Sequence, residues 1–157
     1  MRMELNWQKP VPLDDGSRQN MIYSVDLERL PTSSGVYIFA RVWGKGKSKS
    51  IEPLYVGKAT NISKRIKQQL NNLRLMKSIH ASKSGERVVW CAEVVTKPGQ
   101  NKNKVVKLVE STLIRNFVAL GFGLKNKQGV EIRRHEVLSL GHRSKTLIPQ
   151  MLYLEIR

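Results

Sequence analysis

The sequence predicts an α+β domain, in which a β-hairpin and a further strand share a sheet and two amphipathic helices cover it. Three observations carry that expectation. Two short apolar runs, Ser34-Gly35-Val36-Tyr37-Ile38-Phe39 and Pro53-Leu54-Tyr55-Val56-Gly57-Lys58, each hold a tyrosine close to a glycine. They flank the basic stretch Gly44-Lys45-Gly46-Lys47-Ser48-Lys49-Ser50, the pattern of a hairpin with a long loop. Segments 61–79 and 102–120 repeat apolar residues at helical spacing. Between them, Arg87 to Thr96 is a β-branched run, apolar on both faces at its centre, which suits the middle strand of a sheet.

The elements follow in order. Residues 1–20 carry Pro10, Pro12, Asp14, Asp15 and Gly16 with no sustained periodicity, and read as an arm or loop. Ser24 to Leu30 reads as one short helical piece with Ser24 as its cap and Pro31 ending it. The hairpin strands are expected at 35–43 and 51–57. In the helix expected over 61–79, Ile62, Ile66, Leu70, Leu73 and Met76 make one apolar stripe, and Thr60 or Asn61 caps it. The stretch Ser82-Lys83-Ser84-Gly85 breaks that pattern, and Pro98-Gly99 ends the β-branched run. The helix over 102–120 places Val106, Val109, Leu113, Phe117 and Leu120 on its stripe. Gly121 to Gly129 reads as a glycine-bounded loop, and 130–157 as one or two short elements. The expected organisation is an N-terminal arm and short helix (1–30), a core (31–129) and a C-terminal extension of the same domain (130–157).

The chain has 157 residues, enough to bury roughly two-thirds of its unfolded surface as one domain. Its formal net charge of +16 points to a polyanionic partner. Nucleic acid is favoured over membrane, because no segment approaches the ~18 consecutive apolar residues of a spanning helix. The first residues lack the apolar core of a signal peptide. Cys91 is the only cysteine, which excludes a disulfide framework and makes a reducing cytoplasm the expected location. His80, His135 and His142 are scattered without zinc-site spacing. The positive charge is unevenly spread: Glu52 is the only acid between Arg41 and Lys83, and Glu110 the only one between Val94 and Val130.

Glu110 falls on the shoulder of its helix stripe, between Ile114 and Phe117 in angular position. A carboxylate there loses hydration and requires a compensating cation. Two readings are open: an ion pair with Lys107 one turn earlier, or a ligand for a hard divalent ion, which takes oxygen donors. Tyr37 and Tyr55, near Gly35 and Gly57, suit either half-buried packing or a phenol used as a general base. Lys58 and Arg65 read as surface charges or as cations set against a scissile phosphate.

Taken in order, Gly35-Val36-Tyr37, Tyr55-Val56-Gly57-Lys58, Arg65 eight residues after that glycine, the helical Glu110 and the late Lys125-Asn126-Lys127 resemble the GIY-YIG nucleases over about residues 31–127. The resemblance implies a small central three-stranded antiparallel sheet flanked by helices, and one-metal cleavage of phosphodiesters with Mg²⁺ or Mn²⁺. By that analogy Glu110 holds the metal, and Tyr37 activates the attacking water with Lys58 lowering its pKa. Arg65 stabilises the pentacoordinate phosphate, Tyr55 orients water or phosphate, and Asn126 (or Asn116) supports the site. Two features depart from the common pattern: the basic insertion lengthens the interval from Tyr37 to Tyr55, and position 69 is Gln where many members carry His or Tyr.

The function expected is a divalent-metal-dependent DNA endonuclease leaving 5′ phosphates, with a small type II restriction enzyme as one form. A stand-alone phage or mobile-element nuclease and a repair nuclease are the alternatives within the class. The partner expected is DNA, double-stranded, with a homo-oligomer on DNA as one way to cut both strands. Lys45, Lys47, Lys49, Lys64, Lys67, Lys125 and Lys127 are expected to contact phosphates. From another class, a basic nucleic-acid-binding protein without catalysis explains the same charge.

Overall fold

A computed structural model describes residues 3–126, 133–142, 144, 146, 147 and 150–156. The chain divides into two compact units, residues 1–126 and 127–157. The first is an α+β unit built on an antiparallel sheet, with β5 (Gly35–Trp43), β6 (Ser50–Ala59) and β7 (Glu86–Val95) as its long strands. β5 lies between β6 and β7 and is antiparallel to both.

The sheet is wider than the three strands expected. β1 (Glu4–Trp7) and β2 (Val11–Pro12) both pair with the other edge of β7, giving five strands. The segment read as an arm is therefore part of the sheet. Its prolines hid it: Pro10 and Pro12 break the strand alternation, yet Val11 and Leu13 are buried in the core. Two more short strands, β3 (Asp14–Asp15) and β4 (Tyr23–Ser24), pair beyond it.

Side chains alternate across the sheet, so the two faces of β5 build two cores. Tyr37 and Phe39 face one, packed with Ile62, Ile66, Leu70, Met76 and Ile79 from α1 (Ile62–Leu70) and α2 (Leu73–His80). Val36 faces the other with Ala92 and Val94, under Val105, Val106 and Val109 of α3 (Lys102–Ala119). The expected stripe of α3 is corrected by that packing: Val105 and Ile114 are buried, whereas Leu120 is exposed beyond the helix end.

Two further expectations are corrected. The helix over 61–79 is two helices, because the Asn72 side chain accepts from the Leu75 amide at 3.1 Å and starts α2, a cap competing with continuation. Asn61 caps α1 and Asn101 caps α3 in the same way. The piece at 24–30 is only a 3-10 turn, Leu27–Arg29, capped by Asp26 instead of Ser24.

Two basic residues are absorbed by the interior. Arg87 is buried and donates to the carbonyls of Ile79, His80, Ser82 and Gly85, closing the C-terminal end of α2. Arg41 pairs with Glu52 at 2.7 Å and donates to the Ser84 carbonyl. In the second unit, β8 (Arg133–Leu138) and β9 (Met151–Ile156) form an antiparallel hairpin. No helix among the described residues is long and apolar enough to cross a membrane.

Candidate active site

The register of the hairpin decides which groups meet. Tyr37 stands opposite Gly57, and Gly35 opposite Ala59. Gly57 makes room for the Tyr37 ring, which a Cβ at that position would overlap. Gly35 is required for another reason: a Cβ there would run into the Ala92 carbonyl oxygen on β7. The glycines thus serve close packing inside the protein.

Tyr37 and Tyr55 stack with ring centroids 6.3 Å apart and planes inclined by 25°. Both hydroxyls accept from Gln69 Nε2, at 3.0 Å and 3.2 Å respectively. Tyr37 is fully buried, and burial is the main reason its pKa is pushed up to about 12; the Gln69 hydrogen bond and the Arg65 guanidinium oppose that rise. The lowered pKa expected of Tyr37 is therefore corrected. Lys58 does not act on it, because Lys58 follows Gly57 and its side chain leaves the opposite face of the sheet. The cation that reaches Tyr37 is Arg65, from α1.

Lys58 instead meets Glu110. Its Nζ donates to Oε2 at 2.7 Å, and the side chains are 44 % and 16 % exposed. The Glu110 partner is thus a strand residue on the hairpin, and the ion pair with Lys107 considered from helical spacing gives way to this one. Val36 stands opposite Lys58 on β5 and packs against Val106 and Val109. That packing brings α3 close enough for a carboxylate one residue after Val109 to reach the strand.

A cleft of about 330 Å³ opens beside this pair, lined by Lys58, Ala59, Thr60, Arg65, Asn103 and Val106. Arg65 therefore joins the two halves of the site, acting on the Tyr37 hydroxyl and lining the cleft that holds Lys58. The cleft adjoins the start of α1, whose first amides are already used: Ile62 donates to the Ser33 carbonyl, Ser63 to Pro31, and Lys64 to the Asn61 side chain. Any anion held there meets side-chain cations, Lys58 and Arg65.

Asn126 is fastened to β6 between Tyr55 and Gly57. Its Oδ1 accepts from the Val56 amide at 3.2 Å and its Nδ2 donates to the Val56 carbonyl. The neighbouring Lys125 amide donates to the Leu54 carbonyl at 2.7 Å. Together they pair the outer edge of β6. Asn116, the other asparagine considered, is exposed on α3.

The remaining lysines are spread over the surface. Lys45, Lys47 and Lys49 are exposed around the hairpin loop, Lys64 and Lys67 on α1, and Lys125 after α3. Lys127 lies outside the described residues. Gln69 is the residue that reasoning from the sequence left without a role. The available signal was its position one turn after Arg65 on a helix whose other inward residues are apolar.

Comparison of the chain with protein-family models, curated proteins and solved structures found no match.

Proposed function

We propose that the chain is a divalent-metal-dependent DNA endonuclease of the GIY-YIG type. The observation that carries this reading is the Lys58–Glu110 pair of 2.7 Å beside a cleft that Lys58 and Arg65 line, with Arg65 also acting on Tyr37 of the stacked phenol pair. The arrangement β5–β6–α1–α2–β7–α3, with helices on both faces of an antiparallel sheet, supports it further.

Glu110, beside the cleft, offers a hard cation one carboxylate. Glu110 already binds a positive group, the Lys58 ammonium, through Oε2, and Lys58 is exposed enough to turn aside. Among the described residues no group of three His, Cys, Asp or Glu side chains forms a metal cage. One carboxylate completed by water and substrate phosphate is the mode Mg²⁺ favours. When bound, Mg²⁺ or Mn²⁺ supplies neutralisation of the charge that develops on the phosphate.

The chain's own groups divide the remaining work. Arg65 and Lys58 hold the phosphate in the cleft and offset its negative charge. Tyr37 and Tyr55 orient the attacking water, and the Tyr37 oxygen, in its phenolate form, accepts the water proton. The new bond joins that water oxygen to phosphorus as the bond to the 3′ oxygen breaks; the 3′ oxygen takes a proton from solvent, leaving a 3′ hydroxyl and a 5′ phosphate. The exposed lysines around the hairpin loop and on α1 contribute affinity without reading sequence.

The test is incubation with plasmid DNA in Mg²⁺ and in EDTA, beside Glu110→Ala. Metal-dependent strand breaks lost in the variant support the enzyme. Intact DNA across metals and substrates, with binding retained, supports a second reading. In that reading the protein is a basic nucleic-acid binder, and the Lys58–Glu110 pair of 2.7 Å simply neutralises a carboxylate at the helix shoulder.

A further inference from the structure

Gln69 makes every hydrogen bond its amide nitrogen can donate, and both go to phenol oxygens. Nε2 lies 3.0 Å from the Tyr37 oxygen and 3.2 Å from that of Tyr55, and the residue is 5 % exposed. Its orientation is set from outside. Asn72 Oδ1 accepts from the Leu75 amide at 3.1 Å as the cap of α2, which leaves Asn72 Nδ2 to donate to Gln69 Oε1 at 3.4 Å. With its carbonyl turned to Asn72, the amide presents its two N–H groups to the two rings.

A phenol oxygen that accepts from an amide must direct its own proton elsewhere. We propose that Gln69, held by Asn72, is the positioning residue of the tyrosine pair: it turns both phenol protons away from α1 and favours the phenolate of whichever ring ionises, without a titratable group of its own. Its catalytic meaning rests on the nuclease reading above; the hydrogen-bond arrangement does not. A His or Tyr at this place would add a second proton-exchanging group, whereas Gln leaves ionisation to the tyrosines. The groups that face the pair are few. Arg65 on α1 is the cation that acts on Tyr37, the neighbouring Tyr55 disfavours ionisation of Tyr37, and Phe39 packs against both. The break between α1 and α2 then has a purpose, since the asparagine that starts α2 also sets the amide of α1.

The experiment titrates the tyrosines in the full chain, without DNA or metal. Biosynthetic labelling with a fluorinated tyrosine makes the phenols more acidic, and fluorine NMR follows each ring, assigned through Tyr37→Phe and Tyr55→Phe. In Gln69→Leu the Tyr37 midpoint is expected to rise by about one pH unit, a hydrogen bond's usual worth. If Gln69→Leu does not fold, Gln69→Glu serves: its carboxylate accepts from the phenols and raises their midpoints further. Asn72→Asp keeps the cap but cannot donate to Gln69, and is expected to shift the midpoints in the same direction with the melting temperature retained. Unchanged midpoints in the folded Gln69 variant overturn the proposal.

The cleavage profile separates this from the nuclease reading. If the midpoints move and the native protein does not cut DNA, Gln69 still positions the pair and the nuclease reading fails. If the native protein cuts while the Gln69 variants keep its pH–rate profile, the nuclease stands and Gln69 has no part in it.

Discussion

The Lys58 ammonium lies 2.7 Å from the Glu110 carboxylate, joining the residue after Gly57 to a helix that begins more than forty positions later in the chain. On the nuclease reading, a divalent ion bound by this acid would displace the ammonium. Glu110→Ala is therefore expected to reduce DNA cleavage by on the order of 10³-fold, while binding in EDTA is unchanged. In Lys58→Ala the carboxylate loses its competitor, so the metal is expected to bind more tightly even as turnover falls. Metal titrations of cleavage and of binding check both.

The burial of Tyr37 sets the pH dependence. With its pKa near 12, the phenolate fraction grows about tenfold per pH unit below that value. Cleavage at saturating DNA is expected to rise with pH at unit slope through the neutral and alkaline range, and a plateau near neutrality would remove Tyr37 as the base. Stability runs the other way. The folded pKa exceeds the ordinary phenol value of 10.0, so the contribution is complete below pH 10 and is lost as pH climbs from about 10 to about 12. Cys91, raised from 9.0 to about 12 by burial, acts in the same direction. Tyr37→Phe is expected to flatten the alkaline loss in denaturation curves.

Gly57→Ala places a methyl group against the Tyr37 ring. The expected cost is about 1–3 kcal/mol, as for overpacking generally, with a changed near-ultraviolet tyrosine signal. Tyr37→Ala should rescue the folding of that variant but not its activity.

Neutralising Lys45, Lys47 and Lys49 is expected to weaken DNA binding and make it less sensitive to salt. The slope of log affinity against log salt should fall by about 0.9 for each phosphate that these lysines no longer neutralise. Turnover at saturation should be kept; if it collapses, the loop belongs to the catalytic cleft.

Asn126→Ala removes both side-chain bonds to Val56 and leaves that backbone edge unpaired. A loss of about 1–3 kcal/mol is expected, with faster amide hydrogen exchange at Val56 than elsewhere in β5 and β6.

Much of the fold is legible locally. The hairpin, the β-branched strand and the amphipathic helices all follow from spacing, and of the residues that line the cleft, Lys58 and Arg65 are among those singled out in the sequence. What spacing does not supply is partners distant in sequence. Helical periodicity offers Glu110 only neighbours on its own helix, whereas the ammonium it meets belongs to β6. Hydropathy reads Gln69 as a polar interruption, although two phenols satisfy its amide. The strands at Glu4–Trp7 and Val11–Pro12 draw their pairing from β7, so their own prolines and short length conceal them. The raised pKa of Tyr37 is hidden for a related reason: a lysine adjacent to the glycine opposite it points, in a strand, to the other face.

The fit between the Tyr37 ring and the hydrogen of Gly57 has a consequence for how such a protein can diversify. The constraint runs one way: a side chain at 57 meets the Tyr37 ring and demands a smaller group at 37, whereas residue 37 can shrink with Gly57 in place. A variant that exchanges this glycine for a bulkier residue is therefore expected to surrender the hydroxyl that Gln69 now holds.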